Sequence, residues 1–225
     1  MTSHRFTFAD LDLIARPSGA LLWASGRVLI IADLHLGKSA RMARRGGALL
    51  PPYEGAATLA RLRAEVAALD PALLICLGDS FDDSAASETL SAADQAELSA
   101  ICAGRGVIWI AGNHDPHPSG LPGRLATDHA LNGVSLRHIA GQGPDISGHY
   151  HPKARLAGVS RPAFVIGTQH LILPAFGAYT GGLDLGAPAL CDLVPSGLAV
   201  LTGAHAIAVP ITALRGPFGQ ARREV

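Results

Sequence analysis

The sequence has few of the features that mark a secreted, membrane-bound or disordered protein. It contains three cysteines and no CxxC pair, so neither a disulfide framework nor a zinc ribbon is indicated. No apolar run approaches the roughly 20 residues of a membrane span, and the amino-terminal segment has no apolar core typical of a signal peptide. With 48% hydrophobic residues, the chain is too apolar for a disordered protein. We therefore expect a globular, cytoplasmic protein.

The sequence also lacks an excess of charge of either sign. Lys+Arg and Asp+Glu number 18 each, so nucleic-acid binding would have to come from a local basic patch. Aromatic residues are 5% of the chain, which leaves few side chains for stacking single-stranded bases. A length of 225 residues favours one domain, and we predict a single domain over 1–225.

What the sequence does contain is a series of short apolar runs that end at polar or glycine-containing clusters. In the first half, predicted strands at 28–32, 73–77 and 107–111 alternate with helical patterns at 52–69 and 91–103. This order predicts parallel strands with crossover helices, and hence an α/β fold class. In the second half we predict mostly antiparallel strands, at 135–139, 145–147, 156–159, 163–166, 170–173, 198–201 and 206–209.

Side chains able to bind a metal follow five of these strands. They are Asp33, His35, Asp79, Asn113, His138, His149 and His151. Ligands of open α/β sheets bind at the carboxyl ends of the strands, and mixed nitrogen and oxygen donors suit Mn²⁺, Zn²⁺ or Fe²⁺. Seven donors exceed one tetrahedral ion but fit two ions that share a carboxylate, an arrangement suited to in-line displacement at phosphorus.

The order of these motifs resembles the calcineurin-like metallophosphoesterase superfamily. The matching motifs are Asp33-x-His35, Gly78-Asp79-x-x-Asp82, Gly112-Asn113-His114-Asp115, His138 and Gly148-His149-x-His151. Within it, the segments around Asp33-Leu34-His35, Arg137-His138 and His149-Tyr150-His151, with the stretch 173–182, resemble the ligase-associated DNA damage response endonuclease (PdeM) family.

The resemblance implies a two-sheet β sandwich flanked by helices and a role for each motif residue. Asp33, His35 and His151 would bind the first metal, and Asn113, His138 and His149 the second, with Asp79 bridging them. A hydroxide between the ions would attack phosphorus, and His114 would assist the leaving oxygen. Asp82, or its neighbour Asp83, would orient His114.

The resemblance also implies the cofactors, substrate and partners. Two divalent ions are expected, Mn²⁺ foremost, with Zn²⁺ or Fe²⁺ as alternatives. The expected activity is a DNA endonuclease in repair, functionally associated with a DNA ligase, a helicase and an exonuclease. A phosphoesterase for small nucleotides and a non-catalytic scaffold are the alternatives.

Several residues near the motifs allow two interpretations. Lys38, Arg41 and Arg45 would share one face of a helix, where they either contact the DNA backbone or face solvent. The glycine-rich stretch 176–182 is either a phosphate-binding loop or an ordinary turn. Asp115 either caps the local turn or takes part in catalysis.

Overall fold

Two β-sheets lie face to face, and helices cover their outer faces, in the computed structural model of the chain. The structure describes residues 2–44, 53–83, 86–117 and 120–215. The strands are β1 (His4–Phe8), β2 (Leu11–Ala15), β3 (Leu21–Trp23), β4 (Val28–Ile31), β5 (Leu73–Leu77), β6 (Gly106–Ile110), β7 (Arg124–Ala126), β8 (Asp128–Leu131), β9 (Val134–Arg137), β10 (Asp145–Ser147), β11 (Lys153–Leu156), β12 (Val159–Ile166), β13 (His170–Ile172), β14 (Leu198–Leu201) and β15 (Ile207–Pro210). The helices are α1 (Lys38–Arg44), α2 (Glu54–Leu69), α3 (Ala86–Thr89), α4 (Ala92–Cys102), α5 (Pro188–Leu193) and α6 (Ile211–Arg215).

The first sheet has the order β1-β2-β3-β4-β5-β6-β7. Its first four strands form an antiparallel meander, and β4 to β7 are parallel. The second sheet has the order β15-β14-β12-β13-β10-β9-β8, with β11 paired to β12. It is mostly antiparallel, except that β9, β10 and β13 are parallel neighbours. Each sheet therefore has a parallel group of strands whose carboxyl ends lie at one edge.

Three apolar layers hold these elements together. Side chains such as Ile30, Ile108 and Phe164 fill the space between the sheets. The opposite face of the first sheet packs on α2 and α4 through residues such as Leu62 and Ile101. A third cluster joins the outer face of the second sheet to α5 and α6. Strands β4, β5 and β6 are apolar throughout because both of their faces are covered.

The predicted fold class is confirmed: the chain forms two mixed sheets flanked by helices. The predicted helix at 91–103 is α4, and the Ser91 side chain caps it by accepting a hydrogen bond from the Asp94 N–H at 3.1 Å. The predicted helix at 52–69 is α2, which begins at Glu54, while Pro52 lies outside the described residues.

Two features of the strand pattern differ from the prediction. The predicted strand at 156–159 is wrong, because Ala157 and Gly158 have φ values of +49° and +81° and form the turn between β11 and β12. Strands β1 to β3, β7 and β8 were not predicted, although Leu11, Leu13 and Ala15 alternate with exposed or half-buried residues along β2.

The described ranges contain no helix long and apolar enough to span a membrane. The three cysteines carry free thiols, with Cys76 and Cys102 buried and Cys191 half-buried.

Leu136 tests how far the packing between the sheets supports the fold. It lies on β9, is 0% exposed, and belongs to the cluster between the sheets. Leu136→Ala should lower the free energy of unfolding by about 2–5 kcal/mol, through lost burial and the cavity left behind. Leu125→Ala, at a position 44% exposed, should change it by less than about 0.5 kcal/mol. Urea unfolding followed by circular dichroism measures both, and equal losses would contradict the packing described.

Candidate metal centre

The candidate metal ligands follow the carboxyl ends of five parallel strands. Asp33 and Asp79 each lie two residues beyond their strands, β4 and β5, and Asn113 lies just beyond β6. From the other sheet, His138 directly follows β9 and His149 follows β10. Because β4–β6 are adjacent, and β9 and β10 are adjacent, the two sheets bring the ligands together at one edge of the sandwich.

The loops that carry the ligands have an unusual backbone conformation. Five of the predicted ligands have positive φ values between +44° and +69°, namely Asp33, His35, Asp79, His149 and His151. Outside glycine this conformation costs about 1–3 kcal/mol per residue and clusters at functional sites. The loops after β4 and β5 continue to pair, since His35 N–H donates to the Asp79 carbonyl at 2.9 Å.

The first ligand cluster consists of Asp33, His35 and His151, whose potential ligand atoms all lie within 4.8 Å of one another. His35 Nε2 and His151 Nε2 are 3.3 Å apart. His151 Nε2 is also 3.3 Å from Asp33 Oδ1. Asp33 and His35 are buried and His151 is half-buried.

The second ligand cluster consists of Asp79, His138 and His149, with the same 4.8 Å limit between its ligand atoms. His138 Nδ1 lies 2.9 Å from the Leu77 carbonyl, and because a carbonyl only accepts, Nδ1 carries the proton. His138 Nε2 is then left facing Asn113 Oδ1 at 2.8 Å, His149 Nδ1 at 3.2 Å and Asp79 Oδ2 at 3.3 Å. The side chain of Asn113 therefore lies against this cluster.

The two carboxylates also fix the backbone around the site. Asp33 Oδ2 accepts a hydrogen bond from the His149 N–H at 2.9 Å, which joins one sheet to the other. Asp79 Oδ1 accepts from the His114 N–H at 2.8 Å. Burial raises the pKa of Asp79, but His138 and His114 together outweigh burial and hold the pKa at about 2.

The imidazoles of the second cluster respond to the same charges. Burial lowers the pKa of His138, but the neighbouring Asp79 and Asp33 outweigh burial and raise it above the usual value. Burial and the nearby His138 lower the pKa of His149. Asp79 and Asp33 thus favour a positive charge beside His138, whether that charge is a proton or a metal ion.

The donor set fits two divalent cations. In each cluster, carboxylate, amide or imidazole atoms converge at distances of about 3 Å, where their lone pairs repel one another unless a proton or a metal ion lies between them. The donors are nitrogen and oxygen atoms without a thiolate, which suits Mn²⁺, Zn²⁺ or Fe²⁺. The two adjacent clusters therefore fit the two divalent metal ions that the resemblance to calcineurin-like metallophosphoesterases implies.

His114 lies beside the first cluster, with its ring centroid 5.4 Å from that of His35. It is exposed, unlike most of the ligands. Its Nδ1 is 3.1 Å from the main-chain carbonyl oxygen of Asp82, so Nδ1 donates and Nε2 is available to a substrate.

The predicted contact between Asp82 and His114 is therefore made by the Asp82 main chain and not by its carboxylate. The carboxylate lies between His35 and Arg41: Oδ1 is 3.2 Å from His35 Nδ1, and Arg41 Nε donates to Oδ2. Contacts of this kind orient a metal-binding histidine. Asp82 is buried, whereas Asp83 is half-buried.

Two of the predicted basic residues, Lys38 and Arg41, make contacts within the protein. Arg41 pairs with Asp82, and Lys38 Nζ donates to the Tyr179 carbonyl at 3.3 Å. Arg45 lies outside the described residues. The helix itself is present, as predicted, but Arg41 is positioned to orient Asp82 rather than to face solvent.

Three motif glycines allow the ligand loops to approach closely. A Cβ at Gly112 would lie 2.2 Å from Asp79 Oδ1, and one at Gly148 would lie 2.5 Å from Asp33 Oδ2. Gly78 has a φ of +76°, and its Cβ would meet His138 Nδ1 at 2.5 Å. Each glycine thus lies against a candidate ligand.

Two residues make contacts beyond those predicted from the sequence, which left Asp115 as either a turn cap or a catalytic residue. Asp115 is fully buried and accepts from the Gly112 N–H at 3.2 Å and the Phe81 N–H at 3.0 Å, so it joins two ligand loops. Burial raises the pKa of Asp115 to about 6. Arg137 lines a cleft of about 370 Å³ together with Asn113 and His138. Its position immediately before His138 was the available signal.

The glycine-rich stretch 176–182 packs against the loop that carries Asp33 of the first cluster. The Gly177 N–H donates to the Asp33 carbonyl at 3.0 Å, and a Cβ at Gly177 would lie 2.2 Å from the Leu34 carbonyl oxygen. Tyr150, between two ligands, packs into the third apolar cluster.

Gly112 provides a steric test of the centre. Gly112→Ala should displace Asp79 and reduce the metal content of the purified protein to less than half of wild type. Gly181→Ala is the matched control because nothing lies within 4 Å of its Cβ position. Elemental analysis after dialysis measures the metal, and a wild-type metal content in Gly112→Ala would contradict the proposed role of Asp79.

Asp115 tests the link between the loops. Asp115→Ala leaves two buried N–H groups without an acceptor, and each such loss costs about 1–3 kcal/mol. The free energy of unfolding should fall by at least about 2 kcal/mol, while Asp128→Ala, at an exposed position, should have little effect. Thermal unfolding compares the variants, and a stable Asp115→Ala protein would show that the loops do not depend on this carboxylate.

Comparisons with known proteins agree with this fold. The crystal structure of the nuclease MPE from Pseudomonas putida matches with a TM-score of 0.73 and 28% sequence identity, covering 92% of this chain and 100% of that chain. No curated protein matches significantly. The family described as calcineurin-like phosphoesterase matches residues 26–159, more than half of the sequence. The chain therefore belongs to the calcineurin-like phosphoesterase family, as its motifs predicted.

Proposed function

We propose that the chain is a two-metal phosphodiesterase that cleaves DNA internally. The observation that carries this proposal is the juxtaposition of the two ligand clusters with an exposed imidazole, His114. A hydrolase of this family needs cations to neutralise the phosphate and a group to protonate the leaving oxygen. Both requirements have candidate residues at the same edge of the sandwich.

The ligands divide between two ions, for which we propose Mn²⁺, with Zn²⁺ or Fe²⁺ as alternatives. Asp33, His35 and His151 would hold one ion, Asn113, His138 and His149 the other, and Asp79 would contribute to both. Bound ions would act as Lewis acids on the phosphate and lower the pKa of a bound water.

His114 would transfer the proton that the leaving oxygen needs. Its Nδ1 is directed to the Asp82 carbonyl and its backbone is held by Asp79, so Nε2 is the atom that faces the substrate. Donation requires the imidazolium form, with the proton passing from Nε2 to the departing oxygen. Asp82 and Arg41 act as positioning residues through His35.

Two observations support DNA as the substrate. The structural neighbour from Pseudomonas putida is a nuclease, and Arg137 places a cation in the cleft beside Asn113 and His138, where a flanking phosphate would bind. The association with a ligase, a helicase and an exonuclease stays a prediction from the family resemblance, as does the cytoplasmic location.

Nicking of covalently closed circular DNA tests the proposal. With Mn²⁺, wild-type protein should convert closed circles to open circles, and a chelator should stop the reaction. His114→Ala should lower the rate by about 10²–10⁴-fold, and Asp79→Asn should abolish measurable cleavage. His205→Ala, in an exposed turn, is the matched control and should cut normally.

Salt dependence distinguishes DNA from a small nucleotide substrate. Cleavage that depends on several phosphate contacts should weaken steeply as salt rises, whereas hydrolysis of a small phosphodiester should change little. Full activity in Asp79→Asn would overturn the two-metal mechanism. Hydrolysis of small phosphodiesters with intact circles would replace DNA by a small nucleotide as the substrate.

A further inference from the structure

A second cavity lies away from the candidate metal ligands. It has a volume of about 770 Å³ and is formed by α2, the turns after β2 and β14, the start of β12 and the segment 175–180. We call it the Arg61 cavity, after the central arginine of its lining. Its volume is in the range of small-molecule sites, and none of the seven candidate ligands lines it.

Arg61 is the unusual residue of this cavity. Its guanidinium carbon lies over the ring of the buried Phe176, 4.5 Å from the ring centroid. Its Nε and Nη2 atoms are buried and have no hydrogen-bond acceptor in the part of the chain that the structure describes. Burial lowers the pKa of Arg61, as expected for a cation without an anionic partner.

The charges of the lining leave an excess of positive charge. Arg16, Arg61 and Arg161 line the cavity with a single carboxylate, Glu65. That carboxylate is already paired with Arg16, at 2.9 Å. Arg61 is therefore not neutralised by Glu65, although the two residues are one helical turn apart on α2. Arg61 is half-buried and lines the cavity, and an arginine at such a place can pair with a phosphate group.

The other residues that line the cavity suit a flat, apolar group attached to a phosphate. Ala64, Ala68 and Ala178 provide small apolar walls, and Tyr179 provides an aromatic ring that is 59% exposed. The hydroxyl-bearing Thr180 also lines the cavity. Aromatic rings stack well on nucleobases, so these features together describe a nucleotide.

We propose that the Arg61 cavity binds a nucleoside phosphate, with the phosphate on Arg61 and the base against Tyr179. Two sources present this chemistry: a free mononucleotide and the phosphorylated end of a DNA strand. Binding depends on none of the candidate metal ligands. The two sites share a wall, however, because Phe176 N–H donates to the Ala32 carbonyl at 2.8 Å and Gly177 N–H to that of Asp33.

Calorimetric titration of the full-length, metal-loaded protein with dAMP tests this proposal. Arg61→Gln should weaken binding by about tenfold or more, because it removes a charge-assisted contact. Ala64→Phe keeps every charge but fills the cavity, and should also weaken binding. Arg63→Gln is the matched control: it removes one charge from the same helix, at a residue that pairs with Glu97 outside the cavity.

A second pair of probes identifies the source of the nucleotide. Oligonucleotides with a 5′-phosphate or a 5′-hydroxyl are titrated into His114→Ala protein, which should not cut them. Arg61-dependent binding that requires the 5′-phosphate identifies a strand end, and binding of dAMP alone identifies a free nucleotide. Equal binding of dAMP to wild type, Arg61→Gln and Ala64→Phe would overturn the proposal. This readout is independent of nicking, so either proposal can fail alone.

Discussion

The burial of two carboxylates, Asp33 and Asp79, is the constraint on which the site depends. Asp33 joins the sheets by accepting the His149 N–H, and Asp79 holds the loop of His114 while facing His138. Buried carboxylates are costly unless hydrogen bonds and positive charge compensate them. Here backbone N–H groups donate hydrogen bonds to both carboxylates. A cation held between the carboxylates and the neighbouring imidazoles would neutralise the remaining negative charge.

This constraint explains why the surrounding backbone is unusual. Ligands from two sheets meet only if their loops approach within van der Waals contact, which requires glycine at 78, 112 and 148. The left-handed conformations occur at alternate residues, Asp33 with His35 and His149 with His151. The fold holds these strained residues in place through the flanking parallel strands, so the geometry is set before any substrate arrives.

The sequence predicted the parts of the molecule that are local or carried by motifs. Strand β4 lies within the predicted 28–32, and all seven predicted ligands converge, because apolar runs that end in metal ligands mark strand ends. The Asp82 carboxylate could not be placed, since its partners Arg41 and His35 come close only after folding. The Arg61 cavity was equally hidden, because segments distant in sequence form it. Strands β1 to β3 carry no motif, and only a weak alternation marks them.

Both ligand clusters should bind metal at the same time. Crystals of wild-type protein grown with Mn²⁺, measured at the manganese absorption edge, test this most directly. We expect two anomalous peaks per chain, one beside His35 and His151 and one beside His138 and His149, with Asp79 in contact with both. A single peak, or peaks away from these residues, would contradict it.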